Sequence, residues 1–163
     1  METFLSNKEI LPFLLTTDVE VREEEIKREI PSKVQAFWSR EPVDVLLLYK
    51  RKSTFSFRKG TNIKHGPFSS VIEHGRKRGN GPEIYNKLTR VRGRYVDGKL
   101  EGEKEETFYF LKRGEEFALC GTTTTTYKRG VKHGMQTVKN SEDRVVTRLY
   151  QNGKTKRRNN KNF

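Results

Sequence analysis

The chain has 163 residues, 32% of them hydrophobic and 34% charged, with 34 Lys/Arg against 21 Asp/Glu for a formal net charge of +13. This composition excludes a thick apolar core and leaves a thin, well-patterned core or regular repetition as the source of order, within one structural unit. A lone cysteine, Cys120, excludes an intramolecular disulfide and a cysteine-based zinc site, and no apolar run nears the roughly 20 residues of a membrane-spanning helix.

The start of the chain reads as helical. Met1 to Leu15 holds an apolar stretch, Ile10-Leu11-Pro12-Phe13-Leu14-Leu15, but lacks the basic leader of a secretory signal. Ser6-Asn7-Lys8-Glu9 has capping-box spacing ahead of that run, and Asp18 is placed to cap a second helix. That helix would span Val19 to Ile30, with Val19, Glu23, Ile26 and Ile30 at near-helical spacing. Pro31 would then open a short third helix containing Val34, Phe37 and Trp38. Val43 to Tyr49, bounded by Pro42, reads as the first strand. The organisation expected is a helical cap with first strand over residues 1–49, β-hairpin repeats over 50–153, and a basic tail over 154–163.

From Lys50 onward short alternating runs are separated by glycine. Asp97-Gly98 and Asn152-Gly153 are strong type I′ hairpin signals, because both central positions of that turn need positive φ. Arg113-Gly114 and Arg129-Gly130 sit at corresponding places. The strands expected around them are Thr89–Val96, Lys99–Thr107, Thr107–Lys112, Glu116–Gly121, Thr122–Lys128, Val131–Lys139 and Arg144–Gln151, forming an antiparallel meander. Thr122 to Thr126, five threonines in a row, belongs in a strand.

Self-comparison shows repetition. An aromatic residue stands three positions before a glycine in Phe57/Gly60, Tyr95/Gly98, Tyr127/Gly130 and Tyr150/Gly153, and four before it in Phe110/Gly114. A second glycine follows in Gly60/Gly66, Gly75/Gly79, Gly98/Gly102 and Gly130/Gly134. First glycines at 60, 75, 98, 114, 130 and 153 are separated by uneven steps of 15, 23, 16, 16 and 23 residues.

The units Tyr95-Val-Asp-Gly98-Lys-Leu-Glu-Gly102 and Tyr127-Lys-Arg-Gly130-Val-Lys-His-Gly134 resemble MORN repeats of the divergent Tyr-x-x-Gly-x-x-x-Gly class, and Tyr150-Gln-Asn-Gly153 resembles the opening of another. The resemblance covers about Phe57 to Lys154. It departs from the family at the 15- and 16-residue steps, at Gly114, which has no second glycine, and in the insertion before Gly66. It implies an elongated antiparallel sheet, without catalytic activity, used for attachment to proteins or membranes. The acidic helical start followed by such repeats is also similar to repeat proteins of giant DNA viruses, which implies infected-cell cytoplasm or the virion, with a minor capsid or internal virion role.

Candidates for chemistry are weak. His65 and His133 occupy the same place in two Lys-His-Gly units, and His74 precedes Gly75, so all three read as structural rather than as metal ligands. Cys120, among Phe117, Ala118, Leu119 and Gly121, reads as a buried inert thiol. Glu101, Glu103 and Glu105 alternate onto one strand face, where pairing with basic residues of a neighbouring strand is the simplest account. His74 to Pro82 is glycine-rich but lacks the Gly-Lys-Ser/Thr ending of a phosphate loop. No cofactor or metal is expected.

The basic excess is concentrated: residues 1–49 hold six Lys/Arg against ten Asp/Glu, and the remainder holds 28 against 11. The clusters are Lys50, Arg51, Lys52, Arg58 and Lys59; then Arg76, Lys77, Arg78, Lys87, Arg90, Arg92 and Arg94, near Tyr85 and Tyr95; then Lys154, Lys156, Arg157, Arg158 and Lys161. They suit an anionic partner, either an acidic face of another structural protein or, as the competing reading, nucleic acid. Lys154 to Arg158 also has the composition of a nuclear localisation signal. A reducing, intracellular compartment follows from the cysteine usage. The function expected is a non-enzymatic scaffold or interaction protein; a continuous arginine stripe beside exposed Tyr85 and Tyr95 would favour nucleic acid, and arginines divided between both sheet faces would favour protein contact.

Overall fold

The computed structural model describes residues 19–111 and 116–156. These fold into one antiparallel sheet whose strands follow chain order: β1 (Val19–Val34), β2 (Val43–Arg58), β3 (Gly66–Lys77), β4 (Ile84–Val96), β5 (Lys99–Leu100), β6 (Gly102–Leu111), β7 (Phe117–Lys128), β8 (Val131–Asn140), β9 (Val145–Gln151) and β10 (Lys154–Thr155). Each strand pairs with the next, except that β5 closes a small hairpin on β4 and β6 takes up the ladder beside it. The mainly β, meandering fold read from the glycine turns is therefore correct.

The helical start is not. Val19–Val34 is a strand, paired with β2 from Val19↔Arg58 to Val34↔Val43. The spacing that suggested a helix is ambiguous in itself: Ile26 and Ile30 lie four apart, which places them on one side of a helix and equally on one face of a strand. β-Branched residues and a full-length partner decide for the strand. Pro31 does not begin a helix; it sits in β1, an edge strand, where a missing N–H can face away from the ladder. Phe37 and Trp38 belong to the β1–β2 connection, where Ser39 N–H donates to the Ala36 carbonyl. The Ser6–Glu9 capping box and Asp18 lie outside the described residues. Residues 49 and 50 fall in the middle of β2, so the first strand is longer than Val43–Tyr49.

Farther on, Lys99–Thr107 and Thr107–Lys112 are replaced by β5 and one long β6, while Glu116–Gly121 and Thr122–Lys128 merge into β7. The β7 ladder shifts register opposite Phe108 and Tyr109, leaving Cys120 as the extra residue of a bulge. Thr122–Thr126 is indeed strand, with β6 and β8 on its two sides.

Alternation along the strands sorts side chains onto two faces. One face carries Phe55, Phe57, Phe68 and Val91, all buried, with Ile72, Tyr95 and Leu100 packed against them. Phe68 stacks on Phe55 at 5.8 Å between centroids and meets Tyr95 at 4.8 Å. It can settle there because its register partner is Gly93, whose absent Cβ would come within 2.7 Å of the Phe68 ring. Among the described residues the packed core is therefore this small, mainly aromatic cluster on β2–β5, with Val19, Ala36, Val45 and Leu48 buried outside it, in keeping with the low apolar content. Ser53 and Ser70, paired beside it, bond hydroxyl to hydroxyl at 2.7 Å.

Candidate interaction surface

The glycine repeats produce one geometry several times over, at one end of the sheet. Asp97-Gly98, Arg129-Gly130 and Asn152-Gly153 all have positive φ at both positions, between 48° and 82°, as type I′ turns require. The second glycines, Gly66, Gly102 and Gly134, also have positive φ and lie opposite the aromatic residue of the following unit: Gly66↔Tyr95, Gly102↔Tyr127 and Gly134↔Tyr150. A glycine therefore stands across the ladder from each ring, at a backbone conformation that other residues rarely adopt.

Hydrogen bonds join each turn to the unit before it. Gly98 N–H donates to the Lys64 carbonyl (2.8 Å), Gly130 N–H to Leu100 (2.8 Å), and Gly153 N–H to Lys132 (2.9 Å). One residue farther on, the side chain preceding the second glycine accepts from the next turn: Asp97 N–H donates to His65 Nδ1 at 3.2 Å, and Arg129 N–H to Glu101 Oε2 at 2.7 Å. His65 is buried in this structural role. Gly60, the first turn glycine, donates its N–H to Glu20 Oε1 at 2.7 Å; this bond, helped by Arg22, holds the Glu20 carboxyl below its ordinary pKa.

A cation from the preceding segment lies over each repeat aromatic. Arg22 is 4.3 Å from the Phe57 centroid, Lys64 is 5.3 Å from Tyr95, Lys104 is 5.7 Å from Tyr127, and Lys132 is 5.1 Å from Tyr150. These contacts contribute on the order of 0.5–1 kcal/mol each at exposed sites. Burial pushes the Lys104 ammonium pKa down, but its hydrogen bond and charge pairing with Glu106, 2.9 Å away, raise it above the ordinary value. Burial likewise raises the Tyr95 phenol. Sequence reasoning passed over these cations, although Lys64-His65-Gly66 and Lys132-His133-Gly134 repeat the signal in plain form.

Not every repeat glycine belongs to this series. Gly75 lies inside β3 at a register shift, opposite Leu48 and Tyr85, where a Cβ would run into the Ile84 carbonyl. Gly79 has positive φ in the β3–β4 connection, at the opposite end of the sheet. Gly114 lies outside the described residues. Phe110 is paired with Lys87 and Ala118 near the opposite end, so it is not an equivalent of Tyr95 and Tyr127. The uneven steps arose in part from counting Gly75, which lies within a strand, among the turn glycines; at one end Gly60, Gly98, Gly130 and Gly153 form a single series.

The basic residues do not form one stripe. Arg90, Arg92 and Arg94 alternate onto the face opposite Tyr95, while consecutive Arg76 and Lys77 point to opposite faces. Arg92 pairs with Glu105 across the β4–β6 ladder at 3.2 Å, and Arg90 lies 5.5 Å from the Tyr109 centroid. Arg78 covers Trp38 at 4.4 Å. Tyr85 bonds Glu83 at 3.4 Å beside Lys50. Lys154 is in β10, and Lys156 N–H donates to the Leu149 carbonyl, so the tail's first residues are part of the sheet. Arg157 and Arg158 lie outside the described residues.

Cys120 is exposed, not buried, because the bulge turns it out of the ladder and its neighbours Phe117 and Leu119 are themselves exposed. Of the acidic residues expected on one strand face, Glu105 in β6 pairs with Arg92, while Glu101 precedes β6 and accepts from the Arg129 turn N–H. Among the described residues no group of His, Cys, Asp and Glu is arranged to hold a metal ion, and no helix is long and apolar enough to cross a membrane.

The fold and this surface define a class, a single-layer antiparallel sheet built from glycine-turned hairpins. No family model, curated protein or solved structure matches the chain.

Proposed function

We propose that this chain is a non-enzymatic repeat protein of the MORN-like kind, acting as a structural or protein-interaction scaffold. The observation that carries this reading is the recurring unit of turn glycine, second glycine, facing aromatic and covering cation, which builds a long two-faced sheet. Such a sheet offers contact area on both faces and two edges, and its regularity needs no reacting group to explain it. The division of Arg76, Lys77, Arg90, Arg92 and Arg94 between the faces, and the partners already held by Arg90 and Arg92, favour protein contact over nucleic acid. An intracellular or virion setting accords with this reading.

The test is binding of the purified chain to single- and double-stranded oligonucleotides across a salt titration. Weak binding that is gone at physiological salt is expected. Tight binding that survives there, with a steep dependence on salt, would replace the scaffold reading with a nucleic-acid-binding one.

A further inference from the structure

Toward the β1–β2 connection the aromatic face changes character. At the turn-glycine end cations cover its rings; at this end apolar side chains stay open, with Leu47 42%, Phe108 37% and Phe110 38% exposed. An open groove of about 710 Å³ lies here, lined by Val45, Leu47, Phe108 and Phe110 together with Arg76 and Lys87. The registers explain the grouping: Leu47 faces Arg76, and His74, Lys87 and Phe110 form one row across β3, β4 and β6.

The electrostatics of the groove are one-sided. No Asp or Glu lines it. Among the described residues neither Arg76 nor Lys87 forms an ion pair, whereas Lys27, Lys50, Arg51, Lys52 and Arg92 all have carboxylates within 4.0 Å. A groove that sets Arg76 and Lys87 beside exposed apolar side chains, with no carboxylate in its lining, is complementary to a ligand with carboxylates flanking an apolar strip. The row of β2, β3, β4 and β6 covers three strand spacings, roughly 14 Å, which accommodates a helix about 10–12 Å wide.

We infer that this groove binds an acidic amphipathic helix of a partner protein, its apolar side chains against Leu47, Phe108 and Phe110 and its carboxylates on Arg76 and Lys87. The inference rests on the protein-interaction reading above and names the chemistry of the partner.

Cys120 lines the same groove and is the only cysteine, which makes it a reporter. The probe is a synthetic helical peptide with leucines at i, i+3, i+4 and i+7 and glutamates beside them. Its binding is followed by a fluorophore on Cys120 and, with unlabelled protein, by calorimetry. Saturable binding is expected, weakened by about tenfold or more in an Arg76→Glu, Lys87→Glu double variant and unchanged by Arg92→Glu on the opposite face. Circular dichroism confirms that each variant keeps its sheet. Absence of binding, equal binding by the double variant, or a response to phosphatidylserine vesicles or dodecanoate but not to the peptide would each overturn the groove assignment. Failure of the peptide with no oligonucleotide binding leaves the scaffold reading standing on another surface; tight binding of single-stranded DNA in the same assay with no peptide binding overturns both.

Discussion

Gly102 lies directly across the β6–β7 ladder from Tyr127, with Lys104, two residues along β6, reaching over the Tyr127 ring at 5.7 Å. The relationship between those three positions explains why the sequence repeats: the glycine takes a left-handed backbone conformation, the ring lies across the ladder from it, and the cation covers the ring.

Two glycines separate backbone strain from packing. Gly102 has φ +78° and nothing near an added Cβ, so Gly102→Ala should cost about 1 kcal/mol through the left-handed backbone alone. Gly93→Ala drives a Cβ into the buried Phe68 ring and should cost about 2 kcal/mol or more. Urea unfolding of both variants checks the order.

Arg129 occupies the first position of a type I′ turn with φ +50°, a conformation that asparagine tolerates better. The bond it gives Glu101 comes from its backbone N–H and survives substitution. Arg129→Asn should therefore raise stability by about 0.5 kcal/mol, read as a higher midpoint of thermal unfolding.

Phe68 and Phe110 are both aromatic and on one face, yet only the first is buried. Phe68→Ala should lose about 3 kcal/mol, within the usual range for a buried phenylalanine. Phe110→Ala should stay within about 0.5 kcal/mol, as for an exposed position. Equal losses would mean that the core extends farther toward the β1–β2 connection.

Stability should fall at both pH extremes for opposite reasons. Glu20 has a folded pKa below its ordinary 4.5, so its contribution is present above that value and is lost as pH drops through the folded one. Lys104 and Tyr95 have folded values above 10.5 and 10.0 respectively, so their contributions are present below those values and are lost as pH rises through the folded ones. Denaturant midpoints across pH should show Glu20→Gln flattening the acid limb and Lys104→Met the alkaline limb.

The β-meander was legible because Asp97-Gly98 and Asn152-Gly153 demand a backbone conformation that few residues adopt, and that demand is local. The strand character of Val19–Val34 was not, because Ile26 and Ile30 satisfy both periods and the deciding partner, Val43–Arg58, begins after an intervening turn. The repeat aromatics Tyr95, Tyr127 and Tyr150 were legible for the same local reason as the turns. What covers them depends on register between strands, which single-strand alternation does not fix. Cys120 was misread because its apolar neighbours suggest burial, whereas a one-residue bulge turns it outward.

The most direct test of the repeat geometry is a nuclear Overhauser spectrum of the folded chain, read at the Tyr127 ring and at Gly102. Cross-strand contacts between Gly102 and Tyr127, together with contacts from the Lys104 side-chain methylenes to the Tyr127 ring, are the predicted result. Contacts from Tyr127 to a residue one place away, such as Glu101 or Glu103, without contact to Gly102 would contradict the register on which the repeat, and the surface built from it, depends.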